Sequence, residues 1–112
     1  MYNYFMLVGR IAKDVEIKTL DDGRNVLNLL IIVQRPFRNQ DGEYENDLLR
    51  VTLWESTAEI VSDNVRKGAL IGIKGRIVST RKVNDEGQNI YQTDLVGERI
   101  VFFSNCDTKV EG

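Results

Sequence analysis

Trp54, the chain's only tryptophan, closes a run in which side chains alternate, with Leu49, Val51 and Leu53 on one side and Leu48, Arg50, Thr52 and Trp54 on the other. A period of two is the pattern of a strand with one buried face. The aliphatic side is the one to bury, which sends Trp54 outward beside Arg50 and Thr52, where hydrophobicity alone would not place it. A flat ring next to a guanidinium on an exposed sheet suits the stacking of unpaired bases and the pairing of their phosphates.

Other residues extend that chemistry. Phe37 and Tyr44 stand in surroundings too polar for a core, close to Arg35 and Arg38. Two readings of them are open, a local loop cluster or further stacking surfaces. From Asn64 through Asn84 there is no acidic residue, while Arg66, Lys67, Lys74, Arg76, Arg81 and Lys82 all occur. A basic stripe therefore lies inside a chain whose net charge is −2, so the distribution of charge says more than its sum.

Catalytic chemistry finds little support. The chain has no histidine and one cysteine, Cys106, so an intrachain disulfide, a Cys-His dyad and an ordinary zinc site are excluded, and the thiol reads as inert. Many of the acids fall in loop-like stretches, at Asp21-Asp22, Asp41 to Asp47 and Asp85-Glu86, where solvation is their usual role. No cofactor or metal is expected. No apolar run approaches the ~18 residues of a membrane span, and the N-terminus lacks a basic segment followed by an apolar one. A soluble, cytoplasmic protein that is not exported is the expectation.

These side chains need a scaffold, and 112 residues at 42% hydrophobic provide one core and one domain. Tyr4 to Ile11 reads as a first strand with Phe5, Leu7, Gly9 and Ile11 on one face and Tyr4, Met6, Val8 and Arg10 on the other. Both faces are largely apolar, so one is expected to meet the core and the second to need another cover such as a neighbouring subunit. Val15 to Gln34 reads as two strands around the Asp21-Asp22-Gly23 turn, with Leu27, Leu29, Ile31 and Val33 inward and Leu30 and Ile32 outward. Pro36 is expected to end the second of them, leaving Asn39 to Asn46 as a polar loop.

After Trp54, Ser56 and Glu59 form an S-x-x-E capping box that predicts a helix from Thr57. Ala58, Val61 and Val65 would share its buried face, Arg66 and Lys67 its last turn, and Gly68 its left-handed cap. Ala69 to Val83 follows as a strand with Ile71, Ile73, Gly75 and Ile77 inward and Lys74, Arg76 and Lys82 on the alternate face. Asn84 to Gln88 reads as a second hairpin turn, Asn89 to Val96 and Arg99 to Phe103 as two further strands, and Tyr91, in phase with Leu95, as packing. Residues 1–104 form the domain on this reading, and residues 105–112 a flexible end.

Hairpin-linked strands with one helix inserted after the third long strand are the order of an all-β OB-fold, a five-stranded Greek-key barrel with a short α-helix between strands 3 and 4. Nearly the whole chain, from Tyr2 to Phe103, resembles the bacterial single-stranded DNA-binding proteins. The likeness is carried by Met6-Leu7-Val8-Gly9-Arg10 with Lys13-Asp14, Val33-Gln34-Arg35-Pro36-Phe37 and Val51-Thr52-Leu53-Trp54. It continues in Ala58-Glu59, Lys67-Gly68, Gly75-Arg76-Ile77, Glu86-Gly87 and Tyr91 with Thr93.

The resemblance implies a homotetramer that wraps single-stranded DNA without sequence preference, serving replication, recombination or repair, and catalysing nothing. It implies that Phe37 and Trp54 occupy base-stacking positions and that Arg50 and the basic stripe follow the strand's path. Together the residues and the resemblance nominate Arg35, Phe37, Tyr44, Leu48, Arg50, Thr52, Trp54, Lys74, Arg76, Arg81 and Lys82.

Three departures from the family's pattern stand out. Leu48 stands where the family commonly has an aromatic opening the third strand, and Thr80-Arg81-Lys82-Val83 stands where an aromatic commonly follows the Thr-Arg pair. Stacking is worth roughly 1–3 kcal/mol per base and Lys82 offers a phosphate contact in its place, so weaker binding with a steeper salt dependence is expected. The chain also stops at Val110-Glu111-Gly112, so recruitment of repair enzymes through an acidic tail is not expected. The rival reading is a replication or primosome accessory protein that uses the same fold as a protein-docking platform. An RNA chaperone of the cold-shock kind would need aromatics clustered on adjacent strands, which the pattern lacks.

Overall fold

In the computed structural model, which describes residues 1–103, the strands are β1 (Phe5–Ile11), β2 (Lys18–Thr19), β3 (Asn25–Arg38), β4 (Tyr44–Trp54), β5 (Leu70–Val83) and β6 (Asn89–Phe102). One helix, α1 (Glu55–Asn64), joins β4 to β5. The sheet order is β1-β5-β6-β4-β3-β2, and pairing of Arg10 and Ile11 with Ile32 and Ile31 joins β1 to β3. That ladder closes a five-stranded barrel and leaves β2 as a two-residue appendage on β3. The OB-fold read from the sequence is the fold observed.

Alternation explains what fills the barrel. Leu27, Leu29 and Ile31 of β3, Val51 and Leu53 of β4, and Ile71 and Ile73 of β5 are all buried. Ala58 and Val61 bring α1 into the same core, joined by Val65 just past its end, and the helix packs against β3, β4 and β6. Gly75, opposite Gly97, is the inward position where backbone comes closest, since a Cβ there would collide with the carbonyl of Val96. The same point carries a bulge, because Lys74 pairs with Arg99 while Gly75 pairs with Gly97, leaving Glu98 as the extra residue.

Several local expectations give way to tertiary contacts. The helix begins at Glu55 with Trp54 at its N-cap and no side-chain cap, so the Ser56-Glu59 box is not used. Glu55 takes a left-handed φ of 51°, and its Oε1 accepts a hydrogen bond from the amide of Asn25 at 3.1 Å. This bond to the start of β3 sets the entry of the helix in place of the local box. The helix ends at Asn64, so Arg66 and Lys67 lie beyond it, and Gly68 belongs to the following turn. That turn is sewn to β1 by Gly68 N–H to the Ile11 carbonyl at 2.8 Å and by Arg10 Nη1 to the Gly68 carbonyl at 3.0 Å.

Pro36 does not end β3. It sits within an irregular stretch between the Gln34–Asn46 and Arg38–Tyr44 pairs, where a missing N–H removes no ladder bond. The loop thus shrinks, and β4 already starts at Tyr44. Val15 to Leu20 contributes only the two residues of β2, and the two terminal strands expected from the sequence are one continuous β6 bent at the Glu98 bulge. Ile77 is exposed, because the β5–β6 ribbon has left the barrel by that point. Asn3 clasps its backbone there, Nδ2 donating to the Ile77 carbonyl at 2.7 Å and Oδ1 accepting from its amide at 3.1 Å. Cys106 and the expected flexible end lie outside the described residues.

Candidate nucleic-acid interface

The outer face of β4 is built as its alternation requires. Leu48 and Arg50 are exposed, Thr52 and Trp54 are half-buried, and Val51 and Leu53 beneath them are fully enclosed. Across the ladder, Trp54 faces Val26, Thr52 faces Asn28, Arg50 faces Leu30 and Leu48 faces Ile32. Thr52 Oγ1 lies 3.4 Å from Asn28 Oδ1. Parallel pairing of Thr52 with Val96 carries the face onto β6, and register then carries it to Arg76, Val78, Thr80 and Lys82 of β5. A continuous outer surface therefore runs from β3 through β4 and β6 to β5.

The guanidinium on Trp54 is not the one expected. Arg24, from the turn between β2 and β3, lies over the indole with its Cζ 4.8 Å from the ring centroid. Arg50 shares the face and, among the described residues, has no ion-pair partner. Sequence reasoning missed Arg24 because it lies in a turn, outside any strand whose period could align it with Trp54, and only the closure of the Leu20–Arg24 turn brings the two together.

The nominated cations fall into two groups. Arg35 is held by Glu45 and Asp47, each at 2.9 Å. Its hydrogen bonds hold the Asp47 carboxyl below the usual aspartate range and raise the guanidinium's own pKa, Asp47 being the main partner. Arg76 meets Glu98 at 3.3 Å, and Lys74 lies over the Tyr4 ring at 5.4 Å. Arg50, Arg81 and Lys82 are exposed and carry no ion pair among the described residues.

Arg81 and Lys82 project from opposite faces of the β5–β6 ribbon, since neighbours in a strand alternate. Lys82 shares the outer surface with Arg76, whereas Arg81 stands directly across from Tyr91 on the other side. Tyr91 is 68% exposed, not packed. Its phase with Leu95 holds, but Leu95 is where the barrel ends and Tyr91 is past it. One acid interrupts the outer surface: Asp94 accepts hydrogen bonds from Thr80 Oγ1 at 2.9 Å and Gln92 Nε2 at 3.1 Å.

Phe37 is 66% exposed and Tyr44 46%, and they do not cluster with each other. Tyr44 carries Arg38 at 5.3 Å from its ring centroid, the two being cross-strand partners. Leu48 and Val83 are open apolar surface, at 62% and 63% exposure.

The comparisons agree with this architecture. "Single-stranded DNA-binding protein B" of Bacillus subtilis is 38% identical over 102 residues, spanning 91% of this chain and 90% of the relative. "Single-stranded DNA-binding protein 3" of Streptococcus agalactiae is 40% identical over 98 residues, covering 88% and 71%. A "Single-stranded DNA-binding protein" of Halalkalibacterium halodurans is 35% identical across 100% of this chain and 67% of its own length. Residues 2–103, the extent of the barrel with its helix and both hairpins, match the single-strand binding protein family, and the chain belongs to that family.

Proposed function

We propose that the chain binds single-stranded DNA without sequence preference, during replication, recombination or repair, by occupying the strand and not by chemistry upon it. The observation that carries this reading is the outer surface of β4, where a half-buried tryptophan and an arginine with no ion pair among the described residues share one face of a family barrel. Bases stack at Trp54 and Phe37, with Tyr44 as a further platform, while Leu48 and Thr52 give the surface its shape. Arg50, Arg81 and Lys82 follow the phosphates first. Lys74, Arg76 and Arg35 join only by leaving their present partners.

Titrating the intrinsic fluorescence of Trp54 with oligothymidine at several salt concentrations tests the reading. Quenching is expected, with log K falling linearly against log salt at about −0.7 for each phosphate neutralised. Because Leu48 and Thr80-Arg81-Lys82-Val83 stand where the family commonly has stacking rings, affinity should be lower and the slope steeper than for a relative with aromatics at both places. Unquenched emission at low salt would remove the proposal.

The assembly we propose is a homotetramer. Tyr4 just ahead of β1, Met6 and Val8 on β1 and Ile32 on β3 are exposed apolar side chains, a grouping of the kind that a second subunit covers. The mass of the particle in solution should be that of four 12.8 kDa chains, with and without oligothymidine, and a monomer would overturn it. The exposed Leu48 and Val83 favour a second reading, a protein-docking platform, which quenching of Trp54 by oligothymidine would exclude.

A further inference from the structure

We infer that Arg24, which belongs to no strand-binding segment named so far, supplies a stacking surface of the DNA site together with Trp54. The inference rests on the proposed reading of the β4 face. Its basis is how firmly one guanidinium is fixed above one ring. Asp22 grips Arg24 twice, Oδ1 accepting from the backbone amide at 3.0 Å and Oδ2 from Nε at 2.8 Å. The Leu20–Arg24 turn closes through Leu20 N–H to the Arg24 carbonyl at 2.8 Å. Next along the chain, the Asn25 amide donates to Glu55, the residue that follows Trp54. The turn and the indole are thus fastened to each other from both ends.

What a base meets follows from this geometry. Val26 lies directly across the ladder from Trp54 and is 7% exposed although it is on the outer face. The Arg24 guanidinium lies over the indole, and the Arg24 side chain is itself 57% exposed. An approaching base therefore finds the outer plane of Arg24, and guanidinium planes accept stacked bases as aromatic rings do. Phosphate neutralisation is a poor second role, since Asp22 already compensates the charge. The resulting order is base, Arg24, Trp54, a three-layer pile in which Asp22 holds the middle layer.

The test is the affinity for labelled oligothymidine, by anisotropy at several salt concentrations, of the full chain and its Arg24→Ala, Arg24→Lys, Asp22→Asn, Arg50→Ala and Trp54→Ala variants. Arg24 and Asp22 have exposed side chains, and Arg24→Lys keeps both charge and fold, so loss of structure does not confuse the outcome. Arg24→Ala should weaken binding about fivefold with the salt slope unchanged. Lysine should fail to restore it, and Asp22→Asn should steepen the slope. Restoration by lysine, with a shallower slope in the alanine variant, would make Arg24 a phosphate contact and overturn the inference. Tighter binding by Arg24→Ala would make it a shield and overturn it equally. Unchanged binding by Arg24→Ala while Trp54→Ala and Arg50→Ala weaken it would remove Arg24 alone, whereas indifference of all three would remove the β4 reading itself.

Discussion

The two long hairpins of this barrel share one turn and differ in almost everything the turn carries. Between β3 and β4, Asn39 closes the loop with its amide to the Glu43 carbonyl at 2.8 Å, and its Oδ1 takes the amides of Asp41 and Glu43 at 2.9 and 3.0 Å. Between β5 and β6, Asn84 does the same with Gln88 at 3.0 Å and with the amides of Glu86 and Gln88 at 3.0 and 2.9 Å. Gly42 and Gly87 complete the pair at φ 79° and 78°, a backbone that glycine adopts without steric cost. Yet near its turn the first hairpin binds Arg35 to two carboxylates and lays Arg38 over Tyr44, while the second leaves Arg81 and Lys82 with no ion pair among the described residues. Turn chemistry sets the shape of each arm, and the strand residues behind it decide whether that arm has charge to offer a polyanion.

Reversing charge on the second arm should break this contrast most sharply. The pair Arg81→Glu and Lys82→Glu is expected to weaken oligothymidine binding more than tenfold and to flatten the salt slope by about 1.4, whereas Arg35→Ala should change affinity less than about twofold. Anisotropy titrations at matched salt measure both, and equal losses on the two arms would dissolve the distinction. The shared turn predicts the opposite outcome for stability. Asn39→Ala and Asn84→Ala should each cost about 1–2 kcal/mol, by urea denaturation, and a large difference between them would mean that the two closures are not equivalent.

Freeing Arg35 sharpens the comparison from the other side. Glu45→Gln with Asp47→Asn should tighten binding by about a few-fold and steepen the slope by about 0.7, one added phosphate contact. The smallest effect is the response to acid. Asp22 and Asp47 both have folded pKa values lowered by hydrogen bonds with arginine, from Arg24's backbone first in one case and Arg35's side chain first in the other. Their contribution to stability is therefore complete above the unfolded aspartate pKa and is lost as pH falls through the lower folded value. Both carboxylates are exposed, so thermal melts between pH 5 and pH 2, a range chosen around ordinary carboxylate titration, should show only a small loss, less in Asp47→Asn than in the parent.

The strands were legible wherever alternation ran for several residues against one core. Leu49, Val51 and Leu53 faced inward and Trp54 outward, as their period requires. Where the pattern failed, a contact between distant residues had replaced a local rule. The Ser56-Glu59 box lost to the bond between Glu55 and Asn25, and Pro36 found an irregular stretch in which it removes nothing. Period alone says which side of a ribbon a residue faces but not where the barrel stops, which is why Ile77 and Tyr91 read as interior. Charge was the least legible property: Arg35 and Arg81 look alike in sequence, and only the folded side chains show that one meets acids. Arg24 had no signal at all apart from its place after a Gly turn.

Asn3 gives the second arm an unexpected root. By returning both hydrogen bonds of a peptide unit to Ile77, its side chain serves as a splint where the ribbon leaves the barrel. Anything fused ahead of Met1 is thus tethered two residues from the foot of the basic arm. A purification tag placed there would load the very lever whose DNA affinity is being measured, and tagged and untagged protein should be compared before any titration is interpreted.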